Sequence, residues 1–178
     1  MKNSPFESTV PPNSRIASLL EGASFHDSWC VTSSDTRLSA LGHFIATAKQ
    51  TPRWIDMCMT ARNRIGRIVG LKDLGTLSEV VNGKPASAYQ PGERVGIFTI
   101  IENTFDEALI GDEDKHLNVV LSIHRKKHLD GKLVSITVTT VVHVKNMLGS
   151  IYMLPVKPMH RLITPAVLTS IGRKAHAA

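Results

Sequence analysis

Asp112, Asp114 and His116 occupy alternating positions of the sequence and carry side chains that can bind a cation or transfer a proton. In an extended chain, alternate side chains point to the same side, so the three would converge on one ion. An acidic turn leading into a strand accounts for the same run, and no second histidine cluster stands at ligand spacing. We therefore expect no metal ion and no other cofactor. We interpret His116 as a residue that hydrogen-bonds or ion-pairs with the acidic run, in a structural or general-acid role.

Tyr152 and His160 are a second candidate pair. Their separation of eight positions corresponds to about 80° around an ideal helix with ~3.6 residues per turn, so both side chains could edge a cavity between that helix and a sheet. Histidine transfers protons near neutral pH, which makes His160, like His116, a candidate acid or base. The alternative is a histidine held in structural hydrogen bonds, which is the more common case.

Arg62 and Trp54 belong to a predicted helix and could contribute to the same cavity. Arg62 lies just beside the apolar stripe of that helix, where a guanidinium could bind a ligand carboxylate through two hydrogen bonds. A salt bridge to the acidic middle of the chain is the competing explanation for Arg62. Trp54 could form a pocket wall, and its alternative role is in the core.

The sequence lacks the motifs of covalent catalysis, phosphate binding and nucleic-acid binding. No Ser or Cys stands in a nucleophile motif, so we expect no covalent catalysis. Gly83-Lys84 lacks the upstream glycine and the following Ser or Thr of a phosphate-binding loop. The basic run at 125–128 precedes Asp130-Gly131 and reads as a solvated hairpin tip. Because the nine aromatic residues form no stacking array, we do not expect nucleic acid as a partner.

The length of 178 residues and the 42% apolar content are typical of one globular domain. No stretch approaches the ~20 apolar residues of a membrane-spanning helix, and the N-terminus lacks the apolar core of a secretory signal. Cys30 and Cys58 form neither a zinc-binding nor a disulfide pattern and suit a reducing compartment. We therefore expect a cytoplasmic protein without a membrane span.

The net charge of +6 is unevenly distributed. Residues 76–114 carry two basic and eight acidic side chains, whereas residues 115–178 carry ten basic and one acidic side chain. This distribution indicates pairing between the two segments within one domain more than a surface for nucleic acid.

The elements that must position these residues follow from hydrophobic spacing. Pro-rich residues 1–24 are expected to form a partly disordered N-terminal arm, and residues 25–178 a single domain. The spacing predicts helices over 37–47 and 52–70, and a long amphipathic helix over 149–171 that kinks or restarts at Pro155, Pro158 and Pro165. Strands are predicted over 27–32, 95–101, 105–110, 117–124 and 133–144.

The last two predicted strands can be aligned. A two-residue type I′ turn at Asp130-Gly131 would pair positions whose numbers sum to 261. One face of the pair is then nearly apolar and the other polar, as a half-buried antiparallel pair requires. The apolar pairs are Val119 with Val142, Leu121 with Thr140 and Ile123 with Val138; the polar pairs are Asn118 with His143, Ser122 with Thr139 and His124 with Thr137.

Four motifs, in order, resemble the signature of an uncharacterised bacterial family, a domain of unknown function, and the likeness covers residues 25–171. The motifs are Pro-Arg-Trp-Ile at 52–55, Arg-Asn at 62–63 followed by Gly-Leu at 70–71, Gly-Asp-Glu-Asp-Lys-His-Leu at 111–117, and Asn-Met-Leu-Gly-Ser-Ile-Tyr at 146–152 with Lys-Pro-Met-His-Arg-Leu at 157–162.

The element order resembles the START-like superfamily, which includes birch-pollen-allergen proteins and polyketide cyclases. This resemblance implies an α+β helix-grip fold, in which a curved antiparallel sheet packs against a long C-terminal helix and two helices follow the first strand. Such sheets have six or seven strands, so we expect one or two more within residues 71–94.

The expected function is binding of a small apolar organic ligand in a cavity between the sheet and the C-terminal helix. The candidate ligand-binding residues are Trp54, Arg62, His116, Tyr152 and His160. One alternative is a cyclase- or hydratase-like enzyme that uses His116 or His160 as acid or base in the same cavity. Another is an interaction module for a dehydrogenase-like partner.

Overall fold

The computed structural model describes residues 4–68, 75 and 84–174, which form an α+β protein around one antiparallel sheet. The seven strands lie in the order β1-β2-β7-β6-β5-β4-β3 and curve against a C-terminal helix. The strands are β1 Phe6–Glu7, β2 Phe25–Ser33, β3 Arg94–Val95, β4 Phe98–Asn103, β5 Glu107–Glu113, β6 Leu117–Lys127 and β7 Val134–Val144. The α-helices are α1 Ala40–Ala48, α2 Arg53–Ile68 and α3 Met147–Lys174.

The five predicted strands and three predicted helices all occur, and the two additional strands are short. β3 begins at the end of the segment in which we expected a further strand, whereas β1 lies in the N-terminal arm. The rest of that segment, apart from residue 75 and residues 84–93, lies outside the described residues. No helix in the described part of the chain is both long and apolar enough to cross a bilayer.

The predicted register of the β6–β7 hairpin is confirmed, but the predicted turn type is wrong. Residues pair as expected from Leu117 with Val144 to Lys127 with Val134. Gly131 has a φ of +68°, whereas Asp130 has a negative φ, so the two positive φ values of a type I′ turn are not present. Instead, residues 129–132 form a four-residue loop, which preserves the register because the His128 N–H donates to the Leu133 carbonyl at 2.9 Å.

Helix α3 continues through its three prolines instead of restarting. Pro155 and Pro158 are exposed and Pro165 is half-buried. The spacing of 155, 158 and 165 places all three on the side of the helix that faces away from the sheet. Each proline leaves one carbonyl without its helical N–H donor, and on this side water can hydrogen-bond to that carbonyl.

The polar face of the hairpin is buried as well, because the N-terminal arm covers it. Ile16 on the arm is fully buried and packs with Leu109, Val120 and Val141. The arm is also held by a buried carboxylate, Glu107, which accepts hydrogen bonds from the Ser14 hydroxyl, the Arg15 N–H and the Ser122 hydroxyl. The face of the central strands that is turned away from the helices is therefore shielded from water by the arm.

Ion pairs connect the acidic middle segment with the basic C-terminal third, as the charge distribution predicted. Arg125 contacts Asp106 at 2.7 Å with only 5% of its own side chain exposed, and Lys145 contacts Glu113 at 2.6 Å. Burial of Arg125 also removes the first cation of the basic run at 125–128 from the hairpin surface. Elsewhere, a hydrogen bond from Lys84 and then one from the Gln90 N–H lower the pKa of Glu93, which is at the surface.

We expect Gly149→Ala to destabilise the protein by about 1–3 kcal/mol. An added Cβ would lie 2.5 Å from the His116 carbonyl oxygen, and this clash with backbone outweighs the gain of about 1 kcal/mol in helix propensity. The midpoint of urea unfolding, followed by circular dichroism, measures the change. Gly42→Ala is the matched control, because Gly42 is also the third residue of its helix and its added Cβ would meet only side chains, the nearest being Ser39 Oγ at 3.3 Å. Equal effects of the two substitutions would contradict the packing argument.

Candidate functional site

One part of β6, on the side of the sheet that faces the helices, is incompletely covered. The register aligns Asp27, Thr140, Leu121 and Ile110 across four adjacent strands, with about 4.8 Å between neighbouring strands. Helix α3 packs mainly on β2, at one side of this row. Leu121 and Val119 remain partly exposed although they belong to a central strand and face the helices. We term the surface around these two side chains the β6 groove. The depressions along α2 and between α1 and the end of α3 are lined by other residues.

His160 and Asp27 form a buried pair beside this groove. His160 Nδ1 lies 2.9 Å from Asp27 Oδ2, and 3% of the Asp27 side chain and 23% of the His160 side chain are exposed. The same carboxylate oxygen accepts a hydrogen bond from Trp29 Nε1 at 3.2 Å. The other oxygen, Asp27 Oδ1, is buried and has no hydrogen-bond partner within the described residues. A buried acceptor in this state costs free energy, about 1–3 kcal/mol, unless a donor reaches it.

The surroundings of His160 hold its imidazole in one orientation. The Phe25 ring meets it edge-on, with 5.7 Å between ring centroids and 81° between planes. Thr164 Oγ1 lies 3.3 Å from Nδ1, and Thr140 Oγ1 lies 3.4 Å from Nε2. If Nδ1 carries the proton donated to Asp27, this hydrogen-bond network assigns Nε2 as the acceptor nitrogen. A carboxylate-oriented imidazole of this kind is suited to proton transfer at Nε2.

Arg62 and Tyr152 contact each other directly. Arg62 Nε donates a hydrogen bond to the Tyr152 hydroxyl at 2.9 Å, and its guanidinium carbon lies 5.4 Å from the centre of the Tyr152 ring. Arg62 Nη1 donates to Asn63 Oδ1 at 2.8 Å. Tyr152 packs in the same apolar cluster as Val119 and Phe25. This pair therefore joins α2 to α3 and borders the floor of the β6 groove.

His116 directly precedes β6. Its imidazole contacts the start of α3, away from the Asp27–His160 pair. Its Nδ1 is 3.1 Å from Asn146 Oδ1, which also accepts the Gly149 N–H and so caps α3. The backbone N–H of His116, and not its imidazole, donates to Asp114. This arrangement corresponds to the structural alternative that the sequence left open. The imidazole Nε2 is buried without a partner among the described residues.

The predicted convergence of Asp112, Asp114 and His116 on one side of an extended chain is wrong. Strand β5 ends at Glu113, and the chain then turns at Asp114 to enter β6 at Leu117. Strict alternation therefore stops between the first and second of the three residues. Within the part of the chain that the structure describes, no three His, Cys, Asp or Glu side chains are arranged to hold a metal ion.

Trp54 lies neither in the core nor beside the groove. It is 41% exposed, whereas its neighbour Ile55 is fully buried, so the buried side of α2 is shifted by one residue from the predicted stripe. An open depression of about 560 Å³ follows the exposed side of this helix. Its lining comes from Arg53, Asp56, Met57, Thr60, Ala61 and Arg64. A second depression, of about 20 Å³, lies between α1 and the end of α3 and is lined by neither Tyr152 nor His160.

Sequence reasoning missed Asp27 and Thr140. Asp27 stood at the start of a predicted strand, and period-2 alternation places it on the same face as Trp29 and Val31. A carboxylate on an otherwise apolar strand face is the sequence feature that could have identified Asp27 as a site residue. Thr140 was placed correctly opposite Leu121, but a threonine among β-branched residues carries no distinguishing pattern.

The antiparallel sheet and its long C-terminal helix define an α+β protein, and the arrangement is consistent with a helix grip. Residues 19–167 match the model of the family described as protein of unknown function (DUF2867), and this protein belongs to that family. The predicted membership of an uncharacterised family is thereby confirmed. No curated protein and no solved structure matches the chain.

The contact between Arg62 and Tyr152 should appear as a coupling energy. Tyr152→Phe and Arg62→Met should each lower the free energy of unfolding, and a double-mutant cycle should give about 0.5–1.5 kcal/mol, because each substitution removes the hydrogen bond between the two residues. Urea unfolding of the four proteins measures it. A cycle of Tyr152→Phe with Arg64→Met, which changes an exposed neighbour, should give a coupling near zero. A coupling as large with Arg64 as with Arg62 would rule out a specific contact.

Proposed function

We propose that this protein binds a small, mostly apolar organic ligand in the β6 groove, as a cytoplasmic member of the START-like superfamily. The observation that carries the proposal is the partial exposure of Val119 and Leu121 at the centre of the sheet, beside a buried polar pair. Apolar side chains facing the helices from a central strand are normally sealed by packing, and a ligand would complete that packing here.

The polar groups around the groove suggest what the ligand carries. Asp27 Oδ1 is a buried acceptor without a donor among the described residues, so a hydroxyl or amino group on the ligand would satisfy it once the side chains that cover it move aside. Tyr152 and Arg62 border the same floor and would contact the other part of the molecule. The proposed ligand therefore combines an apolar body with at least one hydrogen-bond donor.

Ligand binding can be tested with the apolar fluorophore anilinonaphthalene sulfonate and with native mass spectrometry of the purified protein. We expect the wild type to bind the fluorophore and Val119→Trp to weaken binding about tenfold or more, because the indole fills the groove. Asn118→Trp is the matched control, since alternation places Asn118 on the opposite face.

Circular dichroism establishes that both variants fold. The proposal would be overturned if the wild-type protein bound neither the fluorophore nor any co-purifying molecule. It would also be overturned if Val119→Trp and Asn118→Trp bound the fluorophore equally well.

Acid–base catalysis in the same groove is the second candidate function. The specific observation in its favour is the bond between His160 Nδ1 and Asp27, which orients the imidazole toward Thr140 in the row that contains the groove floor. A base oriented in this way would remove a proton next to a ligand carbonyl. His116 is not used in this candidate function, because its contacts are those of a helix cap.

Deuterium incorporation into a panel of enolisable ketones, followed by NMR in heavy water, tests this second function. If His160 is the base, the wild type should accelerate exchange of at least one ketone, and His160→Asn should lower that rate by about 10²–10⁴-fold. His143→Asn provides a matched control, because His143 bonds the Leu19 carbonyl on the other face of the sheet. Equal rates for the wild type and His160→Asn would exclude His160 as the base.

A further inference from the structure

The side of α3 that faces away from the sheet is apolar and exposed. Met147, Ile151, Leu154 and Leu162 are 78%, 55%, 71% and 61% exposed. Their positions recur at intervals of four, three and eight residues, which places the four side chains on one side of the helix. Pro155 and Pro158 lie on the same side and are also exposed. We term these six residues the α3 stripe.

The opposite side of α3 already packs on the protein. Met153, Leu168 and Ile171 are buried there against the sheet and α1. The predicted amphipathic pattern is therefore wrong, because a surface helix normally presents polar residues to water and this one presents the α3 stripe. A contiguous exposed apolar surface of this kind marks a binding surface.

The charges next to the stripe favour a binding partner that is negatively charged. Helix α3 contains no Asp or Glu, and none follows Asp130 in the sequence. Arg161 is exposed within the span of the stripe and makes no ion pair with any described residue. Lys157 lies half-buried at the flank of the stripe, and its Nζ donates a hydrogen bond to the Ser24 carbonyl at 3.3 Å. A helix that combines an apolar surface with cations and no carboxylates is electrostatically complementary to acidic lipid headgroups.

The shape and chemistry of the stripe favour a bilayer over a protein partner. It is convex and one helix wide, and it contains no Trp or Tyr, the side chains that dominate protein interfaces. Because proline has no N–H, three backbone carbonyls on or next to the stripe lack their helical hydrogen-bond donor. They belong to Ile151, Leu154 and Arg161. These carbonyls need water, which the headgroup region supplies and a dry protein interface does not.

We propose that α3 lies in the plane of an anionic lipid bilayer. The α3 stripe enters the boundary between headgroups and acyl chains, and Arg161 contacts a lipid phosphate. This mode of attachment buries one side of a helix and requires no membrane-spanning segment. The proposal is independent of the ligand proposed for the β6 groove.

Vesicle flotation tests this attachment. We expect the full-length protein to float with vesicles of phosphatidylcholine mixed with phosphatidylserine, to bind far less to phosphatidylcholine alone, and to dissociate as salt is raised. Leu154→Glu should weaken binding to the acidic vesicles about tenfold or more, because it removes a buried apolar side chain and adds a repelled charge. Arg161→Gln should weaken it by a smaller factor, about fivefold for one lost cation–headgroup contact.

The matched control is Leu129→Glu, which introduces the same charge at a fully exposed leucine on the β6–β7 hairpin tip. It should retain wild-type flotation apart from a small, salt-sensitive loss. The proposal is overturned if the wild type does not float with the acidic vesicles, or if Leu129→Glu and Leu154→Glu lose binding equally. It is also overturned if light scattering shows self-association that Leu154→Glu abolishes, since the stripe would then bind a second copy.

Discussion

The register among β2, β7 and β6 is the constraint on which the candidate site depends. Asp27, Thr140 and Leu121 share one row only because two successive antiparallel pairings have this alignment. A slip of one residue would move every side chain of a strand to the other face of the sheet. The Asp27 carboxylate would then lie under the N-terminal arm, and His160 would face Ser28 in its place. Strand pairing thus determines which polar groups meet α3.

The two buried carboxylates illustrate two ways to accommodate charge inside one sheet. Glu107 is surrounded by donors from the arm and from β6, so its burial contributes to holding the arm in place. Within the described residues, Asp27 has donors at one oxygen, from Trp29 and His160, and none at the other. Desolvation of a carboxylate is costly. Glu107, whose oxygens both accept hydrogen bonds, is therefore suited to stabilising the fold, whereas Asp27, with one oxygen unbonded, is suited to binding a ligand.

Much of the fold could be predicted because its signals are local. Period-2 alternation and the position of a turn dipeptide predict the alignment of β6 with β7, and hydrophobic spacing predicts all three helices. The short strands β1 and β3 have only two residues each, too few to show a period. The candidate site was less predictable, because Asp27 and His160 are 133 positions apart and meet only through tertiary packing. Arg62 and Tyr152 were chosen separately for their chemistry, and their direct contact depends on how α2 crosses α3.

The two short strands β1 and β3 are the two edges of the sheet, and this has a consequence for aggregation. An exposed strand edge is a template on which another chain can add a strand. Here each edge strand offers only two residues, and β4, next to one edge, is interrupted by a bulge between Ile100 and Glu102. The Ile100 N–H and carbonyl are already bonded to Glu93 and Gly92. The short β3 and the bulge therefore limit the template at that end of the sheet, whereas β1 pairs with only two of the nine residues of β2 at the other end.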